Sequence, residues 1–341
     1  MMRSGGALMG RVTLKDVGDH VGVSAKTVSN VVNNTGWVTD ELKTRVRNAI
    51  QELGYRPNAA ARQLRSGRSG MIAVALPDLA QAYFAELASA LVRAAEARSV
   101  TVLISQTGGQ PEAERRISDG VGIPVMDGLI LSPLALTAAD LADRLDTTPI
   151  VLLGEHIGTS PFPHVAVDSI AAARAATEYL LASGRRRIAA IGSQTGQATE
   201  TADLRLEGYN AALDAAGIPR DPTLVRSVDQ FVRADGAAAA AALVDDRADF
   251  DAVFAFNDLL ALGAMHEFTE RGIRVPDDVA VMGFDDIEEA RYSSPSLSTV
   301  SPDTDAIAKY ALDLLLGETT DDDGGGGEKT IPFDIVKRAS T

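Results

Sequence analysis

The sequence predicts two fold types in one chain: a small all-α helix-turn-helix head, followed by an α/β body of two doubly wound parallel-sheet halves. Three observations carry this. Between Thr13 and Asn33, TLKDVGDHVGVSAKTVSNVVN spaces Leu14, Val17, Val21, Val23, Val28, Val31 and Val32 mostly three and four residues apart around Gly22, so two short helices meet at a tight turn. From Met71 onward, short apolar runs alternate with amphipathic helical stretches. Charge divides at the same boundary: through Ser69 there are eleven Lys and Arg against five Asp and Glu, a balance of +6, whereas the remainder has 21 against 42, within a net charge of −15.

The head carries its own punctuation. Thr13 with Asp16 three residues later forms a variant capping box for a first helix, and Ser24 caps a second, roughly Ala25 to Val32. The valines of that second helix leave Ala25, Lys26, Ser29 and Asn30 on the opposite face, where small and hydrogen-bonding side chains suit the floor of a DNA major groove. Thr39 caps a third helix with Asp40 and Glu41 in its first turn, and Gly54 stops it after Leu53. Although the whole chain has a pI near 4.7, only the surface that meets phosphates needs positive charge, and the head supplies it.

Next comes YRPNAAARQLRSGRSG. Pro57 and Asn58 begin a helix of only six or seven residues, ahead of a basic Ser/Gly-rich run. Isolated helices below about 12 residues are marginal in water, so this one needs a partner. The domains are therefore read as 11–56 for the head, 57–70 for a hinge helix and linker, and 71–341 for the body.

In the body, MIAVAL, VTVLIS, GLILS and PIVLLG read as strands, with helices near Ala82 to Arg98, Pro111 to Val121 and Ala138 to Leu145. After VAVD and the long helix Ser169 to Ala182 the pattern restarts with RIAAIG, DAVFAF and VAVMGF, which gives a second half. TTDDDGGGG reads as an acidic loop before one last strand, IPFDIVKR. Ligands of such sheets bind beyond the carboxyl ends of the strands, which here carry Pro77-Asp78, Ser132-Pro133, Gly154-Glu155, Asn257-Asp258 and Asp285-Asp286. Asp258 reads as a helix N-cap.

Several classes lack their parts. No apolar run approaches the ~18 residues that span a bilayer, and the first residues carry no secretion signal, so a cytoplasmic protein is expected. With no cysteine and with His20, His156, His164 and His266 scattered, neither metal nor cofactor is expected. There is no GxGxxG after the first strand, no P-loop and no nucleophile elbow, so no enzyme is expected. A sugar-transport receptor would share the two-lobed body but would carry an export signal and lack the basic head.

Over nearly its whole length the chain resembles the LacI-type (lactose-repressor) family of bacterial transcription regulators. VTLKDVGDHVGVSAKTVSNVVN resembles that family's DNA-reading unit, LGYRPNAAARQLRSGRS its hinge, and FNDLLALGAM, VAVMGFDD and PSLSTVSPD its sensor domain, which has a periplasmic-binding-protein-like fold. The resemblance implies base-reading positions at Ala25, Lys26 and Asn30, with Thr13, Ser24, Thr27, Ser29, Asn33, Trp37 and Thr39 near the DNA backbone. It implies that Asn58 lies in the hinge and that Leu64 wedges into the minor groove. For the effector it implies Arg205, Asn257 and Asp285, with Asp78 beside them and Phe231, Tyr83 and Phe84 as ring surfaces. Paired donors and acceptors over an aromatic platform suit a neutral polyhydroxylated ligand such as a sugar. The sequence departs from the lactose repressor where PIVLL ends in Gly154 instead of an acid, with Glu155 adjacent. No heptad-bearing tail follows Arg338, so a homodimer on a palindromic operator is the expected state, more often released by an inducer than dependent on a corepressor.

Overall fold

A computed structural model describes residues 12–33, 35–56, 68–122, 124–155, 160–195, 200–318 and 328–341. The chain divides into two compact units, Met1–Ser69 and Gly70–Thr341. The hinge positions Asn58 and Leu64, and His156, lie outside the described residues.

The first unit contains α1 (Leu14–Val21), α2 (Ala25–Val32) and α3 (Asp40–Leu53). Each starts where its capping residue predicts. Thr13 N donates to Asp16 Oδ2 at 2.7 Å while Asp16 N donates to Thr13 Oγ1 at 3.3 Å, closing the capping box. The Thr13 hydroxyl, and then its amide, hold the Asp16 carboxyl below its ordinary range. Ser24 Oγ accepts from Thr27 N at 3.1 Å, and Thr39 Oγ1 from Leu42 N at 3.4 Å. Gly22 and Gly54 end α1 and α3 in the left-handed region at φ 77° and 65°, where a side chain would be strained. Helices of 8, 8 and 14 residues do not persist alone, so their order rests on the core of Val17, Val28, Val31, Val46, Ala49 and Tyr55.

The second unit has two lobes, each built on a six-stranded sheet. The first lobe uses β1 (Met71–Leu76), β2 (Thr101–Gln106), β3 (Leu129–Leu131), β4 (Ile150–Leu153), β5 (His164–Val167) and β11 (Glu328–Ile331), in the order β11-β5-β4-β3-β1-β2, all parallel. The second uses β6 (Ile188–Ser193), β7 (Val225–Ser227), β8 (Ala252–Ala255), β9 (Ala280–Phe284), β10 (Ser298–Pro302) and β12 (Phe333–Val336), in the order β12-β10-β9-β8-β6-β7, with β12 antiparallel. Around them lie α4 (Ala82–Glu96), α5 (Pro111–Ser118), α6 (Ala138–Ala142), α7 (Ser169–Ala182), α8 (Glu200–Ala215), α9 (Arg233–Asp245), α10 (Asp258–Glu270), α11 (Glu288–Tyr292) and α12 (Thr304–Leu316). The inner strands β1, β3, β4, β8 and β9 are nearly continuous apolar runs because the sheets are covered on both faces there, whereas the edge strands β2, β7 and β12 are partly exposed. Gly236 and Gly263 let α9 and α10 touch backbone to backbone: a Cβ on either would sit within 2.2 Å of a carbonyl oxygen of the other helix.

Among the described residues the chain passes between the lobes three times. It leaves β5 through Asp168, whose carboxylate caps α7 at Ala171 N (2.8 Å), and returns through Asp303, which caps α12 at Ala306 N (2.9 Å). The third pass corrects the sequence reading. IPFDIVKR is not one strand: Pro332 parts it, so that β11 ends in the first sheet and β12 begins in the second. Proline donates no ladder hydrogen bond, and the break falls on it. Among the described residues no helix is long and apolar enough to cross a membrane.

Candidate functional site

In the head, α2 turns its valines inward and leaves Lys26 exposed, with Ala25, Thr27, Ser29 and Asn30 half-buried beside it. Several of these side chains are fixed from within the head. Ser24 Oγ and Thr27 Oγ1 lie 2.9 Å apart, and Asn33 Nδ2 donates to Ser29 O and Oγ at 2.8 and 3.1 Å. Asn30 O accepts from Thr35 N at 2.9 Å, which turns the chain toward Trp37. Trp37 is 91% exposed and Thr39 and Asn33 are exposed, so a large aromatic ring stands outside the core on the same small unit. Hydroxyls, an amide, an ammonium and a ring on one preorganised unit can bond to phosphates and base edges.

In the body, residues from both lobes meet at the carboxyl ends of the strands. Arg205, buried inside α8, stacks over the Phe284 ring at 3.5 Å from its centroid. Its Nη1 donates to Phe256 O and lies 4.0 Å from Asp285 Oδ1, and its Nε donates to Ser169 Oγ at 3.5 Å. Ser169 Oγ in turn donates to Glu155 Oε1 at 3.0 Å, and Thr201 Oγ1 to Glu155 Oε2 at 3.3 Å. Glu155 thus joins the cluster one residue after Gly154. Asn257 caps α10, accepting from Leu260 N at 2.9 Å, while its Nδ2 donates to Phe231 O at 3.2 Å.

Tyr83 and Phe84 form an edge-to-face pair with centroids 5.3 Å apart at the start of α4. Burial lifts the Tyr83 hydroxyl above its ordinary range, and the nearby charges of Asp285 and then Glu155 lift it further. Both rings and Phe231 are half-buried and pack on the core. Asp78 is half-buried after β1, with its carboxylate accepting from Ala80 N at 3.0 Å.

The two aspartates after β9 have different roles. Asp285 and Asp286 both have positive φ, 116° and 54°, a strained arrangement for residues with side chains. Asp286 is locked by Arg338 Nη2 at 2.5 Å and Ser301 Oγ at 3.0 Å. Among the described residues none donates a hydrogen bond to the Asp285 carboxylate. Burial raises its pKa to about 7; Arg205 opposes the rise, and Glu155 and Glu86 add to it. A ligand hydroxyl can supply the missing donor.

Asp258 is not the cap that the sequence suggests; Asn257 is. Asp258 is fully buried one residue further on, accepting from Thr299 Oγ1 at 2.6 Å and Ile287 N at 3.0 Å. Gly283 makes the space, since a Cβ there would meet Asp258 Oδ1 at 2.1 Å. Burial, and then the nearby charge of Asp285, pushes this carboxyl well above its ordinary range, while the bonds from Thr299 and Ile287 oppose the rise. Ser169 and Thr201 as supports of Glu155 are not legible in the sequence: each acts through a contact with a distant segment, and neither belongs to a local motif.

A helix-turn-helix unit with a polar outward face, joined to a two-lobed α/β body with a polar cleft, defines a DNA-binding regulator with a ligand-sensing domain. Residues 13–58 match the family described as bacterial regulatory proteins, lacI family, and residues 177–341 match the periplasmic binding protein-like domain. The transcriptional regulator GalS of Salmonella typhimurium is 34% identical over 306 residues, 89% of each chain. The lac repressor dimer bound to operator and the anti-inducer ONPF superposes with a TM-score of 0.82 at 27% identity, covering 97% of this chain and 99% of that one. A CelR–cellobiose complex superposes with a TM-score of 0.68 at 30% identity, covering 97% of this chain and all of the other. The chain belongs to the LacI family of ligand-responsive, sequence-specific DNA-binding transcription regulators.

Proposed function

We propose that this protein is a homodimeric repressor released from a near-palindromic operator by a carbohydrate bound between the lobes of its body. The observation that carries the ligand half is the buried Arg205–Asp285 pair beside Phe284, in which the carboxylate lacks a donor from the described residues. A neutral sugar offers hydroxyls to Asp285, Glu155 and Asn257 and a C–H face to Tyr83, Phe84 or Phe231. The cellobiose held by CelR supports that ligand class.

On the DNA side, Ala25, Lys26 and Asn30 read bases, and Thr13, Ser24, Thr27, Ser29, Asn33, Trp37 and Thr39 hold the backbone. Residues 57–70, with Asn58 and Leu64, form the hinge between a head of 11–56 and a body of 71–341, and Leu64 opens a base step at the operator centre. The operator complex of the lac repressor supports this half.

The experiment is a thermal-shift screen of the full chain against cellobiose, ribose, galactose and related sugars, with Arg205→Ala and Asp285→Ala alongside. A sugar that raises the melting temperature of the wild type and of neither variant bears the reading out. A sugar that stabilises all three equally places its site elsewhere.

A further inference from the structure

Four consecutive backbone amides follow β9, and all four are hydrogen-bonded. Asp285 N donates to Val300 O at 2.9 Å, Asp286 N to Thr299 Oγ1 at 3.4 Å and Ile287 N to Asp258 Oδ2 at 3.0 Å. Those three acceptors belong to the second lobe. The fourth, Glu288 N, donates at 2.9 Å to Glu86 Oε1, which belongs to α4 of the first lobe. The loop that presents Asp285 is therefore pinned at three points by its own lobe and at one point by the other. Only that fourth bond depends on how far apart the lobes stand.

We propose that Glu86 is a positioning residue that ties the Asp285 loop to α4, so that the ligand-gripping carboxylate is fully held only while the lobes are together. The helix is suited to this. Tyr83 and Glu86 are three residues apart on α4 and so lie on one face of it, bringing a ring and a carboxylate to the same side of the cleft. Glu288 is the first residue of α11, so its amide has no partner within that helix and an acceptor must come from outside. If the lobes part, Glu288 N loses its protein partner while Ile287 N keeps Asp258. Asp285 and Asp286, three and two residues before the pin, have positive φ, and a loop strained in this way holds its shape only when its surroundings over-determine it.

The same geometry keeps the tie reversible. Burial lifts the Glu86 carboxyl above the ordinary range, the bond from Glu288 N opposes the rise, and the negative charges of Glu289, Glu288 and Asp286 add to it. Repulsion among these four acids sets a limit on the strength of the tie. A weak bond across the cleft is what a ligand can make or break with its own contacts.

This inference rests on the reading that Asp285 grips the effector, and its test is independent of any ligand. Amide hydrogen exchange is measured residue by residue on the full chain, wild type, Glu86→Gln and Glu86→Ala. The glutamine oxygen still accepts, so Glu288 should exchange as slowly in Glu86→Gln as in the wild type. In Glu86→Ala, Glu288 should exchange about tenfold faster, with Ile287 and the strand amides of β8 and β9 unchanged. Unchanged exchange at Glu288 in Glu86→Ala overturns the proposal, and so does equal acceleration in both variants, because then the acceptor is not the cause. Failure of the sugar screen would remove the effector reading and leave this exchange result standing.

Discussion

Replacing Asp285 by asparagine tests the electrostatics of the cleft without altering its shape. The Asp285 carboxyl faces Arg205 from α8, Glu155 from the end of β4, and Glu86 and Tyr83 from α4, and its pKa rises to about 7. In the unfolded chain the same group titrates near the ordinary value of ~3.9. A raised folded-state pKa means that the folded protein holds the proton more tightly. The stability this contributes is therefore complete below about pH 4 and is lost as pH rises through 7. Lifting the carboxyl from its ordinary value to about 7 corresponds to ~2–4 kcal/mol, or roughly 5–10 °C in the melting temperature of a unit this large. Asparagine stands permanently in place of the protonated form. Calorimetry of both proteins from pH 4.5 to 8.5 should show Asp285→Asn gaining on the wild type by that amount as pH rises, whatever their offset at pH 4.5. Parallel curves would show that the carboxyl is not perturbed. A variant that falls further behind at high pH would show that the ion pair with Arg205 outweighs burial.

Other expectations follow from the same contacts. Asp258→Ala leaves Ile287 N and Thr299 Oγ1 without their buried acceptor and should cost the body about 2–4 kcal/mol, measured by denaturant unfolding, with Asp258→Asn costing less. Val28→Ala empties part of the head core and should cost roughly 1–3 kcal/mol there, abolishing DNA binding while the melting of the body is unchanged. Lys26→Ala should lose about 1–3 kcal/mol of discrimination at one base pair per half-site in a competition assay, with binding to random DNA nearly intact.

Legibility in the sequence followed the range of the interaction. The Thr13–Asp16 capping box and the Ser24 and Thr39 caps span three residues, and each was readable because the whole device lies in one window. Strands covered on both faces are apolar runs, so β1, β3, β4, β8 and β9 were readable as strands, though not their order. The short β7 and the split at Pro332 were not, because which sheet a strand joins is decided by distant partners. Asn257 and Asp258 can both cap a helix, and only the phase of α10 assigns the cap to one and burial to the other. Arg205 is legible only through family resemblance and Asp285 through that and its place at a strand end, whereas Ser169 and Thr201, which support Glu155, and Glu86, which reaches Glu288, depend on contacts across 14 to 202 residues.

The most direct measurement is operator affinity with and without sugar. A duplex selected by the full chain from a random library is titrated with wild type and with Arg205→Ala, in the presence and absence of the sugar identified by thermal shift. Relief of repression through the cleft predicts that the sugar weakens the wild-type complex about 5- to 150-fold, while Arg205→Ala binds the duplex as tightly as the wild type and ignores the sugar. A sugar that tightens the wild-type complex, or that weakens both complexes equally, would contradict it.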